Sequence, residues 1–249
     1  MIPYDAIGDA YDLVYPDTIE RVPFVKNLLE RHGKQSVLEL GTGTGLFAIP
    51  LHEAGFNIEG LEISEVMIDT VRQKAPALKV HQGDIRHFAL DNRYEAILAP
   101  SSILVLVDNH EEIRQCLQCA YGHLQTEGLL LLELPNHPVE IQLSNNSQEV
   151  HSSDGHGTIV VIQSAVEDQL WTETWHIFRQ SEMGFNYEKV RCQELLYSPE
   201  SLSQQLDEVG FDVIEEYGDL LGNRFNEAFS WRRVLICKKR AIEGQGSKK

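Results

Sequence analysis

The feature that most constrains the fold is a glycine-rich turn directly after a short apolar segment. Residues 37–45 read Val-Leu-Glu-Leu-Gly-Thr-Gly-Thr-Gly, and Glu62 ends the next apolar segment. Apolar residues that run into alternating glycines are typical of a parallel strand followed by a turn that lets a ligand approach the backbone. A helix predicted to begin near Leu46 offers free N–H groups there. An acidic residue about 20 positions past the turn is suited to accept hydrogen bonds from a ribose.

The spacing of the glycines argues against a dinucleotide ligand. The fingerprint G-x-G-x-x-G, placed on Gly41 and Gly43, requires a third glycine at position 46, but Leu46 stands there and the third glycine is Gly45. That third glycine is where helix and strand pack closely over a pyrophosphate, so NAD or flavin binding is disfavoured. The Glu-x-Gly-x-Gly-x-Gly pattern of residues 39–45 instead resembles the first motif of class I S-adenosylmethionine-dependent methyltransferases, whose ligand has a ribose but no phosphate.

Three further segments resemble the same family. Residues 10–15, Ala-Tyr-Asp-Leu-Val-Tyr, are similar to the Y-D-x-x-Y opening of its small-molecule members. Residues 60–67 are similar to its second-strand motif, and residues 81–88 to its third-strand segment. The chain as a whole resembles the subgroup that includes nucleotide-aminosugar N,N-dimethyltransferases. The resemblance covers residues 4–135 well and 195–238 more loosely.

The resemblance implies S-adenosylmethionine as the cofactor and assigns residues to it. Glu62 would bind the ribose and Asp84 the adenine amino group, while Tyr11 would reach the methionine end. Glu39 would anchor the ammonium through water or act as a structural acid, and Ser101 would form the floor of the site or stabilise its loop. The predicted cofactor-binding residues are Tyr11, Glu39, Gly41, Thr42, Gly43, Gly45, Glu62, Ile63, Met67, Asp84, Ile85 and Ser101.

Methyl transfer from a sulfonium is a direct displacement, so a protein needs mainly to align the reactants and exclude water. The chain has no G-x-S-x-G nucleophile motif. His137, which follows the fifth predicted strand, is the best-placed candidate base; His123 and His176 are alternatives. No Asp, Glu and His residues have metal-ligand spacing, and Cys116 and Cys119 lie in a helical pattern without a second pair. The sequence therefore predicts an enzyme that needs no metal.

Composition limits the partners and the location. The net charge of −17 argues against binding nucleic acid, which relies on clustered Lys and Arg. No apolar run reaches the roughly 18 residues of a membrane span, and no leader is visible at the N-terminus, so we expect no membrane contact and a cytoplasmic location. Exposed strands in 158–197 suggest a possible homodimer.

Alternating strand and helix patterns from Ser36 onward predict an α/β fold. We expect a Rossmann-like doubly wound sheet of seven strands, mostly parallel with an antiparallel last strand, and a small antiparallel β insertion between the fifth and sixth strands. Strands are predicted at 36–40, 57–62, 77–81, 94–99, 128–134, 158–165, 170–179, 187–197, 211–217 and 233–238. Residues 136–157 are rich in Asn, Ser, His and Gly and are interpreted as a long polar loop or an ordered lid.

This pattern divides the chain into four parts. Residues 1–35 form an N-terminal helical cap, residues 36–135 and 195–240 form the cofactor-binding core, residues 136–194 form a substrate-covering insertion, and residues 241–249 form a flexible tail. No motif in the insertion identifies the acceptor. The leading hypothesis is methylation of a small molecule, with an amine favoured. O-methylation on the same fold and a non-catalytic cofactor-binding subunit remain open.

Overall fold

The structure is a computed structural model that describes residues 3–16, 18–152, 157–168 and 170–241. Eleven strands and eight α-helices are defined within those residues. The strands are β1 (Ser36–Leu40), β2 (Asn57–Glu62), β3 (Val80–Gln82), β4 (Tyr94–Ala99), β5 (Leu124–Pro135), β6 (Ser147–Ser152), β7 (Thr158–Glu167), β8 (Leu170–Ser181), β9 (Gly184–Leu195), β10 (Phe211–Tyr217) and β11 (Arg232–Lys239). The helices are α1 (Pro3–Ile7), α2 (Ala10–Val14), α3 (Thr18–Arg31), α4 (Ala48–Glu53), α5 (Glu65–Lys74), α6 (His110–His123), α7 (His137–Ser144) and α8 (Pro199–Val209).

Seven strands form the main sheet, in the order β10-β11-β5-β4-β1-β2-β3. β1 is paired in parallel with β2 and β4, whereas β11 runs antiparallel to both of its neighbours, β5 and β10. The predicted fold class is therefore confirmed. Because the carboxyl ends of the parallel strands lie at one edge, the turns after β1, β2 and β4 meet there.

The apolar strands are buried on both faces of this sheet. Along β5, Leu130 and Leu132 belong to one buried cluster, whereas Leu129 and Leu131 belong to another on the opposite face. Successive side chains of a strand point to opposite faces, so a continuous run of leucines supplies two helix-covered layers at once. This is why the run of leucines, without any alternation, predicts a parallel sheet correctly.

The insertion contains one more strand than the sequence predicts. It forms a four-stranded antiparallel sheet in the order β6-β7-β8-β9 rather than the three strands predicted. Residues 136–157 are not a long polar loop in their described part, because α7 and β6 occupy residues 137–144 and 147–152; the alternative of an ordered lid stays a prediction. β6 is an edge strand with mostly exposed side chains, and its backbone pairing with β7 from Ser147 to Ser152 needs no apolar pattern. β6 and β9 are the edge strands of this sheet. A homodimer that pairs along one of these edges stays a prediction.

The N-terminal helices lie between the two sheets. Ile7, Ala10 and Val14 of α1 and α2 pack in one buried cluster with residues of β7, β8 and β9. On the other side Asp5 accepts a hydrogen bond from Ser64 Oγ (2.6 Å), at the start of α5. Asp12 accepts hydrogen bonds from Thr44 in the glycine turn and from Lys74 Nζ (2.5 Å). This segment therefore joins the insertion to the carboxyl edge of the main sheet.

Two remaining features of the chain bear on the predictions. No helix within the described residues is long and apolar enough to cross a membrane. The four cysteines are free thiols, and Cys116 and Cys119 lie on α6, as the helical pattern indicates. The tail predicted at 241–249 falls outside the described residues from position 242 onward.

Candidate active site

The glycine turn after β1 leaves open space where a ligand can contact the backbone. Gly41 and Gly43 have positive φ angles of 65° and 55°, a region that L-residues other than glycine rarely adopt. A Cβ on Gly41 would lie 2.5 Å from the Ile103 side chain. A Cβ on Gly43 would meet only the Gly41 carbonyl oxygen, at 3.9 Å. Glycine at position 43 thus keeps a gap that any side chain would begin to fill.

Glu62, at the end of β2, holds the shape of this turn. Its Oε2 accepts a hydrogen bond from the Gly43 N–H (2.8 Å), and its Oε1 accepts two, from the N–H groups of Ile63 and Ser64 (2.9 Å each). A carboxylate has about four acceptor positions, so these contacts leave about one for a ligand hydroxyl. Burial raises the pKa of Glu62, and the three backbone hydrogen bonds oppose that shift. A ribose that bonds to Glu62 through both hydroxyls, as predicted, would therefore compete with the backbone N–H groups for the acceptor positions of the carboxylate.

A cavity of about 290 Å³ lies beside this turn, and we call it the turn cavity. It brings together nine of the twelve predicted cofactor residues. These are Tyr11, Gly41, Gly43, Glu62, Ile63, Met67, Asp84, Ile85 and Ser101. The sequence missed several others, of which the most prominent are Ile103, Leu106, Val107 and Asp108, from the segment after β4. Only their position after a strand, at the ligand-binding edge of the sheet, could have indicated them.

Three predicted cofactor residues are absent from the wall of the turn cavity within the described residues. Thr42 is buried and packs against Gly60, where a Cβ would lie 2.3 Å from Thr42 Oγ1. Gly45 faces Ile49, whose Cδ1 would lie 2.7 Å from a Cβ. Glu39 is 2% exposed, and burial raises its pKa well above the usual value, with Glu62 adding to the shift. These three residues therefore contact protein atoms around the turn and do not face the turn cavity.

Asp84 follows β3 at the far end of the turn cavity. Both of its carboxylate oxygens accept hydrogen bonds from Arg86, and Oδ1 also accepts one from the Arg86 backbone N–H. The guanidinium holds the pKa of Asp84 below its usual value, so the carboxylate is charged. Arg86 also donates to Glu112 (2.8 Å). Sequence reasoning missed this arginine, which lines the cavity between the two acids.

A second cavity, of about 80 Å³, adjoins the first, and we call it the aromatic cavity. The two share Tyr4, Tyr11, Ser101, Leu106 and Cys192. Its rings form a chain, with centroid separations of 6.3 Å from Tyr4 to Tyr11, 4.8 Å from Tyr11 to Tyr15 and 6.2 Å from Tyr15 to Trp175.

The charged residues of the aromatic cavity are two acids and two arginines. Glu173 accepts a hydrogen bond from Trp175 Nε1 (3.1 Å), and burial raises the pKa of Glu173. Glu194 is the second acid, and burial raises its pKa as well. Arg21 is paired with Glu133 (3.1 Å) and Arg232 with Glu140 (3.0 Å). Both arginines form their salt bridges with other acids, and the charge of Arg232 lowers the pKa of Glu173 and of Glu194 only against the larger effect of burial.

The candidate histidines do not line either of these cavities among the residues described. His137 is 4% exposed, and burial lowers its pKa to about 4, with the charge of Arg232 adding to the shift. His123 contacts the Cys119 carbonyl (2.8 Å) and the Leu90 N–H (3.1 Å), so both of its ring nitrogens are used within the core. His176 bonds to Tyr187 and Gln163 on the exposed side of the insertion. The structure thus supports none of them as a base beside the turn cavity.

The doubly wound sheet carries two adjoining cavities at the carboxyl ends of its parallel strands. A family model described as a methyltransferase domain matches residues 15–216. The chain belongs to this methyltransferase family, and its class is that of the class I S-adenosylmethionine-dependent enzymes. The predicted family, enzyme class and cofactor are thereby confirmed.

Several known proteins are similar to this chain. A dTDP-3-amino-3,6-dideoxy-alpha-D-glucopyranose N,N-dimethyltransferase of Streptomyces fradiae is 28% identical over 133 residues, 51% of this chain and 52% of the relative. A glycine/sarcosine N-methyltransferase of Aphanothece halophytica is 26% identical over 79% of this chain and 73% of the relative. The match to the sugar enzyme thus spans about half of each protein.

A solved structure shows the same fold over almost the whole chain. The S-adenosylmethionine-dependent methyltransferase of Clostridium acetobutylicum superposes with a TM-score of 0.83, covering 96% of this chain and 99% of that one, at 14% identity. At this identity the likeness concerns the fold alone.

Proposed function

We propose that this protein transfers a methyl group from S-adenosylmethionine to the nitrogen of a small amine bound in the aromatic cavity. The observation that carries the proposal is the half-buried carboxylate of Glu173 among aromatic rings, in a cavity that shares five lining residues with the turn cavity.

The residues of the turn cavity fit the cofactor. Glu62 offers an acceptor for a ribose hydroxyl, and Ile63, Met67 and Ile85 offer apolar contacts for a base. The open space at Gly43 accommodates a ligand against the backbone. S-adenosylmethionine, when bound, supplies an electrophilic methyl group on a sulfonium.

The aromatic cavity suits an amine for two reasons. Tyrosine and tryptophan faces attract an ammonium group, and a carboxylate pairs with it. The amine must lose its proton before it can attack a methyl group. Because burial raises the pKa of Glu173, this carboxylate is a stronger base than an exposed one and can hold that proton.

The remaining lining residues orient the acceptor and exclude water. Tyr11 lies in both cavities, and burial raises its pKa to about 12, so its phenol stays neutral and can donate a hydrogen bond. The wall between α2 and β8 is closed by Tyr15 and Trp175. Positioning of this kind supplies much of the rate enhancement when the leaving group is good.

The similar proteins support a nitrogen acceptor. Both the sugar N,N-dimethyltransferase and the glycine/sarcosine N-methyltransferase are named for transfer to nitrogen, although their acceptors differ in size. Nitrogen chemistry is thus common to relatives of different substrate specificity. Placement in the cytoplasm and action as an independent enzyme are part of the same proposal.

The experiment pairs small amines with hydroxyl compounds of the same skeleton and measures labelled methyl incorporation. We expect incorporation only with the amines. Glu173→Gln should lower kcat/KM by about 10²- to 10⁴-fold, the usual contribution of a positioned base, and should alter the acidic limb of the pH profile. Glu182→Gln, at an exposed turn of the insertion, is the matched control.

Three outcomes would contradict the proposal. Methylation of the hydroxyl compounds alone would indicate an O-methyltransferase. An unchanged pH profile in Glu173→Gln would show that Glu173 is not the base. Tight binding of S-adenosylhomocysteine by calorimetry, without turnover of any acceptor, would favour a non-catalytic subunit.

A further inference from the structure

Three side chains beside the aromatic cavity, two buried and one half-buried, have buried polar atoms without partners. Both ring nitrogens of His137, one oxygen of Glu140 and one of Glu194 are buried and make no hydrogen bond to the described part of the chain. His137 is 4% exposed and Glu140 6%. An unpaired buried polar group costs about 1–3 kcal/mol, so such groups rarely cluster unless something binds them.

These atoms converge on one point. His137 and Glu140 are three residues apart on α7 and so lie on the same helix face, while Glu194 comes from β9 of the insertion. One donor atom from each residue lies within 4.8 Å of the other two. Tetrahedral ligands with bonds of about 2.1 Å lie roughly 3.4 Å apart, so small side-chain rotations bring all three atoms to a shared cation.

We propose that His137, Glu140 and Glu194 form a binding site for a divalent transition-metal cation such as Zn²⁺. One imidazole nitrogen and two carboxylate oxygens are a ligand set that such cations accept. Three protein ligands leave a fourth position open. Glu194 lines the aromatic cavity, and Glu140 lines a neighbouring cavity of about 120 Å³, so the open position can be filled by water or an acceptor atom.

The local charges are compatible with a cation. Arg232 donates to Glu140 Oε1 (3.0 Å), which leaves Oε2 free to ligate. Metal binding requires ionised carboxylates and a neutral imidazole, so occupation of the site should release protons.

The sequence did not reveal this site. His137 and Glu140 have helical spacing, but Glu194 lies in another element and meets them only through the packing of the insertion on α7. The predicted independence from metal rested on spacing alone. A cation here would also tie the insertion to the core, which is a role separate from the transfer chemistry.

The test uses the full chain, stripped with a chelator and titrated with Zn²⁺ by calorimetry. We expect one cation per chain and a higher melting temperature. His137→Ala and Glu194→Gln should each weaken binding by more than roughly tenfold, since even an outer-shell partner of a ligand is worth about that much. His52→Ala, on α4, is the control and should bind as the unaltered protein does.

Substitution with Co²⁺ gives a readout that does not need the variants. Nitrogen and oxygen ligands produce weak visible bands, whereas thiolate ligands produce a strong near-ultraviolet band. The first result supports the site, and the second would assign binding to the cysteines and overturn it. Absence of stoichiometric binding in the unaltered protein would also overturn it. Neither measurement depends on methyl transfer, so failure here leaves the proposed function unaffected.

Discussion

Replacing Glu62 by Gln tests the central feature of the site, because the carboxylate both shapes the turn and faces the ligand. The amide has one oxygen where the carboxylate has two. In its better orientation that oxygen still accepts from Ile63 and Ser64, but the NH₂ group then faces the Gly43 N–H, whose bond to Glu62 is 2.8 Å long in the native protein. One charge-assisted hydrogen bond becomes a contact between two donors.

The magnitude follows from that exchange. A hydrogen bond to a charged group contributes about 1.5–3 kcal/mol, and removing a buried charge returns part of its desolvation cost. We therefore expect Glu62→Gln to destabilise the cofactor-free protein by about 1–3 kcal/mol, roughly 2–12 °C in Tm for a chain of this size. Loss of the hydroxyl acceptor and of the turn geometry should weaken cofactor binding about ten- to a hundredfold, or roughly 1.4–2.8 kcal/mol.

Thermal unfolding and calorimetry with S-adenosylhomocysteine measure the two effects separately. Glu65→Gln is the matched control, since Glu65 is exposed in the first turn of α5, three positions further along the chain. It should change Tm by a degree or two and leave binding intact. If Glu62→Gln bound the ligand as tightly as the unaltered protein, the ribose role of Glu62 would be refuted. If it unfolded at the same temperature, the three backbone contacts would not hold the turn.

Three further predictions concern buried groups around the sheet. Glu39→Gln should stabilise the cofactor-free protein at pH 8 and not at pH 4. Burial raises the pKa of Glu39 in the folded protein well above 4.5, so the free energy of unfolding falls as pH rises from the unfolded pKa toward the folded pKa. Thermal unfolding at several pH values checks this. Gly60→Ala should cost about 1–3 kcal/mol in denaturant unfolding, because its Cβ would lie 2.3 Å from Thr42 Oγ1. Burial raises the pKa of Cys116 and Cys192 to about 12, so at pH 8 both should react slowly with a disulfide reagent until the protein is unfolded.

The turn cavity could be predicted from sequence because short-range rules determine it. The positive φ angles at Gly41 and Gly43 strongly favour glycine, so the alternating glycines mark the turn in the sequence itself. Glu62 is held partly by its own neighbours, and its contact with Gly43 follows from the pairing of Leu40 with Leu61 in parallel strands. Each contact thus depends on local backbone geometry or on adjacent strands.

The predicted cofactor residues that do not line the turn cavity show the limit of these rules. The sequence places Glu39 beside the turn but does not say how deeply it lies. Successive residues of β1 alternate between faces, with Leu38 in one buried cluster and Val37 in the other, so Glu39 points into a helix-covered layer. The burial of Glu39 thus depends on helices from other parts of the chain that pack on this face of the sheet.

The aromatic cavity was beyond prediction because distant segments build it. Tyr11 comes from α2 and Tyr15 directly follows it, Glu173 and Trp175 come from β8, and Arg232 from β11. The sequence assigns Tyr11 to the cofactor, but β8 shows only a strand pattern and does not indicate that Glu173 lies near that tyrosine. Burial of Glu173 is what makes it a candidate base, and burial exists only once α2 lies on the insertion.

The same packing would couple the cofactor site to the acceptor site that we propose. The N-terminal helices contact the glycine turn through Asp12 and the insertion through Val14, so they cannot move away from one without disturbing the other. Tyr11, on the same helix, lines both cavities. If a ligand in the turn cavity stabilises α2, it should also stabilise the wall of the aromatic cavity, and by linkage an acceptor bound there should strengthen cofactor binding by the same factor. The insertion can diverge to fit a new acceptor, but its contact with α2 must be preserved for the turn to remain closed.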